Sequence, residues 1–170
     1  MQDLSYENIA VKDACVLFDL IDLKLLNDYF QLGYKTFITS YVYSEITEVY
    51  QKAIVRSSIE KGNLIIDDEL DDLKVFELRG ALKGLSLTDC SVIEVAMRRK
   101  AFLLSSDKGL RNEALRQNIK IGGVIWVIDQ LILSGIIDSN TAILKLEEYA
   151  VVNERAPIRE IRKMVQKLSN

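Results

Sequence analysis

The sequence predicts a three-layer α/β/α fold with a parallel central sheet and extra helices at its C-terminal end. Three observations lead there. Apolar runs of three to five residues recur between longer stretches whose apolar residues follow helical spacing. Strands alternating with helices build a parallel sheet, because each parallel crossover needs a long connection that then covers the sheet. The chain has 170 residues, one proline and 49% apolar residues, so it can bury one core and has little room for linkers.

Ile9 to Lys12 is the first strand, ending near Asp13. A helix follows from about residue 14 to Leu32, with Leu20, Leu23, Leu26 and Phe30 at helical spacing and Gly33 as its stop. Lys35 to Thr39 is the second strand, and Ser40 is placed to cap a helix running to about Val55. Leu64 to Ile66 is the third strand. Asp67, Asp68, Glu69, Asp71 and Asp72 then read as acids at a helix start, where negative charge suits the dipole. Thr88 to Lys100 is a largely apolar helix, and Ala101 to Leu104 the fourth strand, closed by Ser105, Ser106 and Asp107. A helix over about Gly109 to Gln117 leads to a fifth strand, Ile119 to Ile121, and a Gly122-Gly123 turn. Helices over roughly Val124 to Ser134, Thr141 to Asn153 and Pro157 to Leu168 complete the chain, with Pro157 at the first position of the last. The expected division is a main domain over residues 1–123 and a helical extension over 124–170 packed on it.

Composition removes several classes of function. The N-terminal residues carry Asp3 and Glu7 and lack a basic stretch followed by an apolar core, so no export signal is expected. The apolar stretch from Gly122 to Ile137 is broken by Asp129 and Gln130 and is too short to span a bilayer, so a cytoplasmic protein is expected. Cys15 and Cys90 are the only cysteines and read as small buried thiols of a reducing compartment. There is no histidine, which excludes Ser-His-Asp and Cys-His catalysis. No GxGxxG or P-loop is present, so a nucleotide cofactor is not expected. Hydrolytic chemistry would fall to carboxylates holding a hard cation. Charge is uneven: residues 1–97 carry 9 basic and 17 acidic side chains, residues 98–170 carry 13 and 8. The basic C-terminal part is either a phosphate-binding surface or a set of solvated helix faces.

Sites in an open parallel sheet form at the carboxyl ends of its strands. Asp13 ends the first strand and Asp107 follows the fourth, so both face one crevice. Asp89 sits near the start of a largely apolar helix, a costly place for a carboxylate unless it caps, pairs or binds something. Glu45 has a similar place in its own helix. Each also has an ordinary explanation, as a helix cap, a first-turn acid or a turn residue.

Four segments carry a family resemblance. Lys12-Asp13-Ala14-Cys15-Val16-Leu17-Phe18-Asp19-Leu20 resembles the opening motif of PIN-domain ribonucleases. Ser40-Tyr41-Val42-Tyr43-Ser44-Glu45-Ile46 is similar to the second motif, Leu85 to Ile93 around Asp89 to the third, and Leu103 to Leu110 around Asp107 to the fourth. The resemblance spans about Val11 to Gly123. It implies a PIN-like fold in which Asp13, Asp89 and Asp107 hold Mg2+ or Mn2+, with Glu45 a further ligand or the residue orienting a water. It implies hydrolysis of RNA phosphodiesters by metal-activated water. Ser105, Ser106, Lys108, Arg111 and Asn112 become candidate phosphate or RNA contacts, and Asn112 and Glu113 stand where many relatives carry a further polar residue. The family's commonest setting, the toxin of a toxin–antitoxin pair, implies a homodimer and an antitoxin partner. Beside this stand a PIN-like module that binds RNA or protein without catalysis, and a purely structural protein. A phosphatase would want Asp-x-Asp where Asp13 is followed by Ala14 and Cys15, and Asp67 and Lys120 do not form the pattern of a phospho-acceptor receiver domain.

Overall fold

The computed structural model describes residues 9–170. The acid-bearing N-terminal segment read above as lacking an export signal lies outside the described residues. Five parallel strands, β1 (Ile9–Lys12), β2 (Lys35–Ile38), β3 (Ile65–Ile66), β4 (Phe102–Leu104) and β5 (Ile121–Gly122), form one sheet in the order β3-β2-β1-β4-β5. The helices are α1 (Ala14–Asp22), α2 (Leu26–Phe30), α3 (Ser40–Glu45), α4 (Val49–Glu60), α5 (Asp72–Ala81), α6 (Leu87–Arg99), α7 (Lys108–Arg116), α8 (Val124–Leu133), α9 (Ser139–Val152) and α10 (Ile158–Ser169).

The chain moves from β1 outward to β3, then crosses back over the sheet to β4 and β5 on the other side of β1. Right-handed crossovers therefore put α1 to α4 on one face and α5 to α7 on the other. α5 lies on α6 and α6 on β1, α1 meets α4, and α3 touches both α1 and α6. α8 returns to the first face against α1 and α2, α9 packs on α1 and α8, and α10 packs on α9. The result is the three-layer architecture with extra C-terminal helices. Among the described residues no helix is long and apolar enough to cross a membrane.

Several boundaries differ from expectation, for physical reasons. The first helix is broken at residues 23–25, where Lys24 takes a left-handed φ of 56°. The break lets Leu23, Leu25 and Leu26 all reach the core, which one straight helix would not allow. The second helix is likewise split: Ile46 is extended and fully buried, and the helix restarts at Val49. Its N-cap is Thr39, whose hydroxyl accepts from the Val42 amide, and Ser40 is already helical. Pro157 precedes the last helix as its N-cap, one position earlier than expected. The fifth strand is shifted to Ile121–Gly122, so Gly122 belongs to the sheet and Gly123 caps α8. A Cβ on Gly122 would come within 2.9 Å of the Phe102 and Trp126 rings, which stack on each other there.

Two readings of single residues are corrected. Asp67 does not start a helix; Asp71 caps α5 instead. Asp67 is buried and shared by Arg98, at 2.8 Å, and Arg99. Burial alone would raise its pKa, but the hydrogen bonds from the two guanidinium groups hold it below the ordinary carboxylate value. Cys90 is buried as expected, whereas Cys15 is exposed.

Candidate functional site: an acid-lined crevice beside a basic pocket

β1 is the point where strand order reverses, and its carboxyl end faces the crevice between β1 and β4. The Asp13 amide donates to the Leu104 carbonyl at 3.1 Å, carrying the pairing one residue past the strands. One Asp13 oxygen accepts from the Val16 amide at 2.9 Å and so caps α1. The other accepts from the Ser105 hydroxyl. That hydroxyl also accepts from the Asp107 amide at 3.0 Å, so one buried serine ties the ends of β1 and β4 together. Asp107 caps α7 through the Leu110 amide at 2.7 Å.

Asp89 closes a capping box at the start of α6. It accepts from both the amide and the hydroxyl of Ser86 at 2.8 Å. Glu45 is exposed at the end of α3. Thr39, which starts α3, bonds Ser91 of α6 at 2.8 Å. Ser91 spends its own proton on the Thr88 carbonyl at 2.7 Å, so Thr39 is the donor between them. This buried pair sets the helix bearing Glu45 against the helix bearing Asp89.

The electrostatics show that the acids share one region. Burial raises the pKa of Asp13 from 3.8 to about 6; the Ser105 and Val16 bonds oppose the rise, and the Asp89 and Asp107 charges add to it. Desolvation pushes the Cys15 thiol up to about 12, helped by Asp13, Asp19, Asp107 and Glu45. The same thiol thus feels acids from α1, α3 and the β4–α7 junction. Among the described residues, however, no three His, Cys, Asp or Glu side chains are grouped so that they could hold a metal ion between them. Asp13, Asp89 and Asp107 each spend a carboxylate oxygen on the start of a helix.

Beside the acids lies a cavity of about 540 Å3 lined in part by Ser106, Lys108, Arg111 and Asn112, four of the five candidate RNA contacts. The fifth, Ser105, is fully buried and serves to hold Asp13. Glu113, expected as a possible further site residue, is buried and engages Arg116 and Gln117 within α7.

Asp19 is the site residue that the sequence reading passed over. It is buried on α1, where its oxygens accept from Asn153 at 2.9 Å and Ser106 at 3.3 Å. Burial raises its pKa, and bonds from Asn153, Ser106 and Tyr149 moderate the rise. A charge within the apolar run Val16 to Ile21 was the available signal.

A parallel sheet with acids at the carboxyl end of its central strand and helical cover on both faces defines a three-layer α/β/α domain. A family profile described as PIN domain matches residues 9–169, and the chain belongs to the PIN-domain family. No curated protein matches the chain.

Proposed function

We propose that this chain engages RNA across the carboxyl end of its sheet, as a PIN-like RNA-binding domain. The observation that carries this is the placing of cations beside acids. Asp107 caps α7, so Lys108 and Arg111 follow within one turn and line the cavity next to the crevice. Cations meet strand phosphates, and flanking acids bar phosphate from the crevice itself unless their charge is met. Binding without cleavage is the reading that this arrangement favours, because among the described residues no three acids are grouped to hold a metal, while Asp13 and Asp107 cap helices and Asp89 completes a capping box.

Metal-dependent ribonuclease activity is the second reading, and one observation favours it. Asp13 is buried with Asp89 and Asp107 near enough to raise its pKa, and the bonds that oppose the rise come from the uncharged Ser105 hydroxyl and Val16 amide. An uncompensated carboxylate group of this kind attracts a divalent cation. On this reading Asp13, Glu45, Asp89 and Asp107 turn toward a common ion, and the toxin role expected from the family resemblance becomes the natural setting.

The test uses a labelled mixed RNA pool. Retention is measured in EDTA and cleavage in Mn2+, for wild type, Lys108→Ala, Asp13→Asn and Asp89→Asn. Retention that weakens with salt and in Lys108→Ala, with no cleavage, supports binding. Mn2+-dependent cleavage lost in both aspartate variants establishes the nuclease. Neither retention nor cleavage refutes both readings.

A further inference from the structure

The 540 Å3 cavity has a composition that the acid crevice does not explain. Its lining includes Lys108 and Arg111 of α7, Arg155 of the α9–α10 link, and Glu160 as its one acid. Among the described residues none of these three cations is in a salt bridge. Arg111 is held by a 2.9 Å bond from one terminal nitrogen to the Ser105 carbonyl, which leaves most of its five donors for another partner. Three cations against one acid around one concave space leave an excess of positive charge that suits an anion.

The opposite wall supplies further groups. α8 begins at the cavity behind Gly123, which offers no side-chain cap to the first-turn amides. A Cβ on Gly123 would stand 3.1 Å from the Arg111 guanidinium, which therefore lies close against this turn. Trp126 adds partly exposed aromatic surface, and Tyr149, which is buried, closes the wall behind it. The volume lies within the usual range for a small-molecule site.

We infer that this pocket binds one phosphate-bearing nucleotide unit, its phosphate among Lys108, Arg111 and Arg155 and its remainder toward Trp126 and Tyr149. The inference rests on the RNA reading above and gives it a defined subsite. Ser106 links the two places, since it lines the pocket and donates to Asp19 on the crevice side. A nucleotide seated here is the neighbour of one lying across the acids. Arg155 lies in the link between α9 and α10, so the C-terminal extension takes part in recognition. The same chemistry is offered by a strand nucleotide and by a free mononucleotide.

Trp126 is the only tryptophan in the chain, so its emission reports on this pocket. The full chain is titrated in EDTA with adenosine, adenosine 5′-monophosphate and a short oligoribonucleotide, by fluorescence and in parallel by calorimetry. The expected result is saturable binding of a phosphate-bearing ligand but not of adenosine. It is weakened about tenfold or more in Arg155→Ala, the scale of one lost charged hydrogen bond, and kept in Lys61→Ala, an exposed cation outside the pocket lining. Binding of the oligoribonucleotide alone identifies a strand subsite, and comparable binding of the monophosphate identifies a free-nucleotide site. Equal binding of adenosine, no binding of either phosphate ligand, or binding unmoved by Arg155→Ala overturns the inference. Retention of the mixed RNA pool in those cases leaves the RNA reading standing without the subsite.

Discussion

Replacing Asp13 by asparagine is predicted to make the protein more stable at neutral pH while removing a central group of its site. Asp13 is only 5% exposed, and its pKa rises from 3.8 to about 6. A folded-state pKa above the unfolded one means that the native state favours the protonated acid. The relative stability so gained is fully present below pH 3.8 and lost as pH rises through 6. A shift of this size corresponds to a cost of about 3 kcal/mol for the charged form at pH 7, at ~1.4 kcal/mol per pH unit. Asparagine keeps an oxygen for the Val16 amide but loses the charged acceptor of the Ser105 hydroxyl, returning about 1 kcal/mol. The net gain is about 2 kcal/mol, or roughly 4–8 °C in melting temperature for a chain of this length. Thermal melts of wild type and Asp13→Asn at pH 7.5 and pH 4 provide the assay. The variant's advantage should be present at pH 7.5 and shrink or vanish at pH 4. A variant that melts lower than wild type at pH 7.5 would refute the reasoning, because Asp13 would then be acting chiefly as a favourable charged cap.

Other consequences follow from the same geometry. Millimolar Mn2+ should raise the melting temperature of wild type and not of Asp13→Asn if the acids can close on a cation; equal shifts would place the ion elsewhere. Asp67→Ala should cost about 2 kcal/mol in denaturant unfolding, below the usual range for breaking a buried pair because both arginines keep other partners. Its pH dependence has the opposite sign to that of Asp13, since its depressed pKa gives stability that is present above 3.8 and lost as pH falls below that through the lower folded-state pKa. Gly122→Ala should cost about 1–3 kcal/mol through overpacking against Phe102 and Trp126, read in melting and in tryptophan emission. Cys15 should react with an aromatic disulfide about fortyfold more slowly than an ordinary thiol at pH 8: the thiolate fraction falls roughly a thousandfold, and greater intrinsic nucleophilicity recovers part of it. Asp107→Asn should speed the reaction, and a wild-type rate equal to that of a free thiol would remove the acid cluster as its cause.

What the sequence made legible was local. Short apolar runs ending at Asp13 and before Asp107 marked β1 and β4, because a strand end and a helix cap leave their signature within a few residues. The break at Lys24 had no such signature, since no glycine or proline marks it and burial of three leucines decides it. Asp67 looked like its acidic neighbours until Arg98 and Arg99, some thirty residues on, separated it from them. The site divides in the same way. The four acids could be picked out one by one, and three of them cap or box helices as their ordinary explanation allowed. The Thr39–Ser91 bond and the Asp19–Asn153 bond join residues 52 and 134 apart, and no local pattern announces them.

That long reach affects how the chain behaves while it is being made. Asp13 finds its serine only after 92 further residues, and Asp19 its asparagine after 134. A ribosome that has delivered β1 to β3 has produced acids without a crevice, and the rim carrying Arg155 comes later still. Domains fold as units and closure of distant contacts is slow. On the RNA reading proposed above, this order of assembly leaves the acids without their cationic rim until Arg155 has been made.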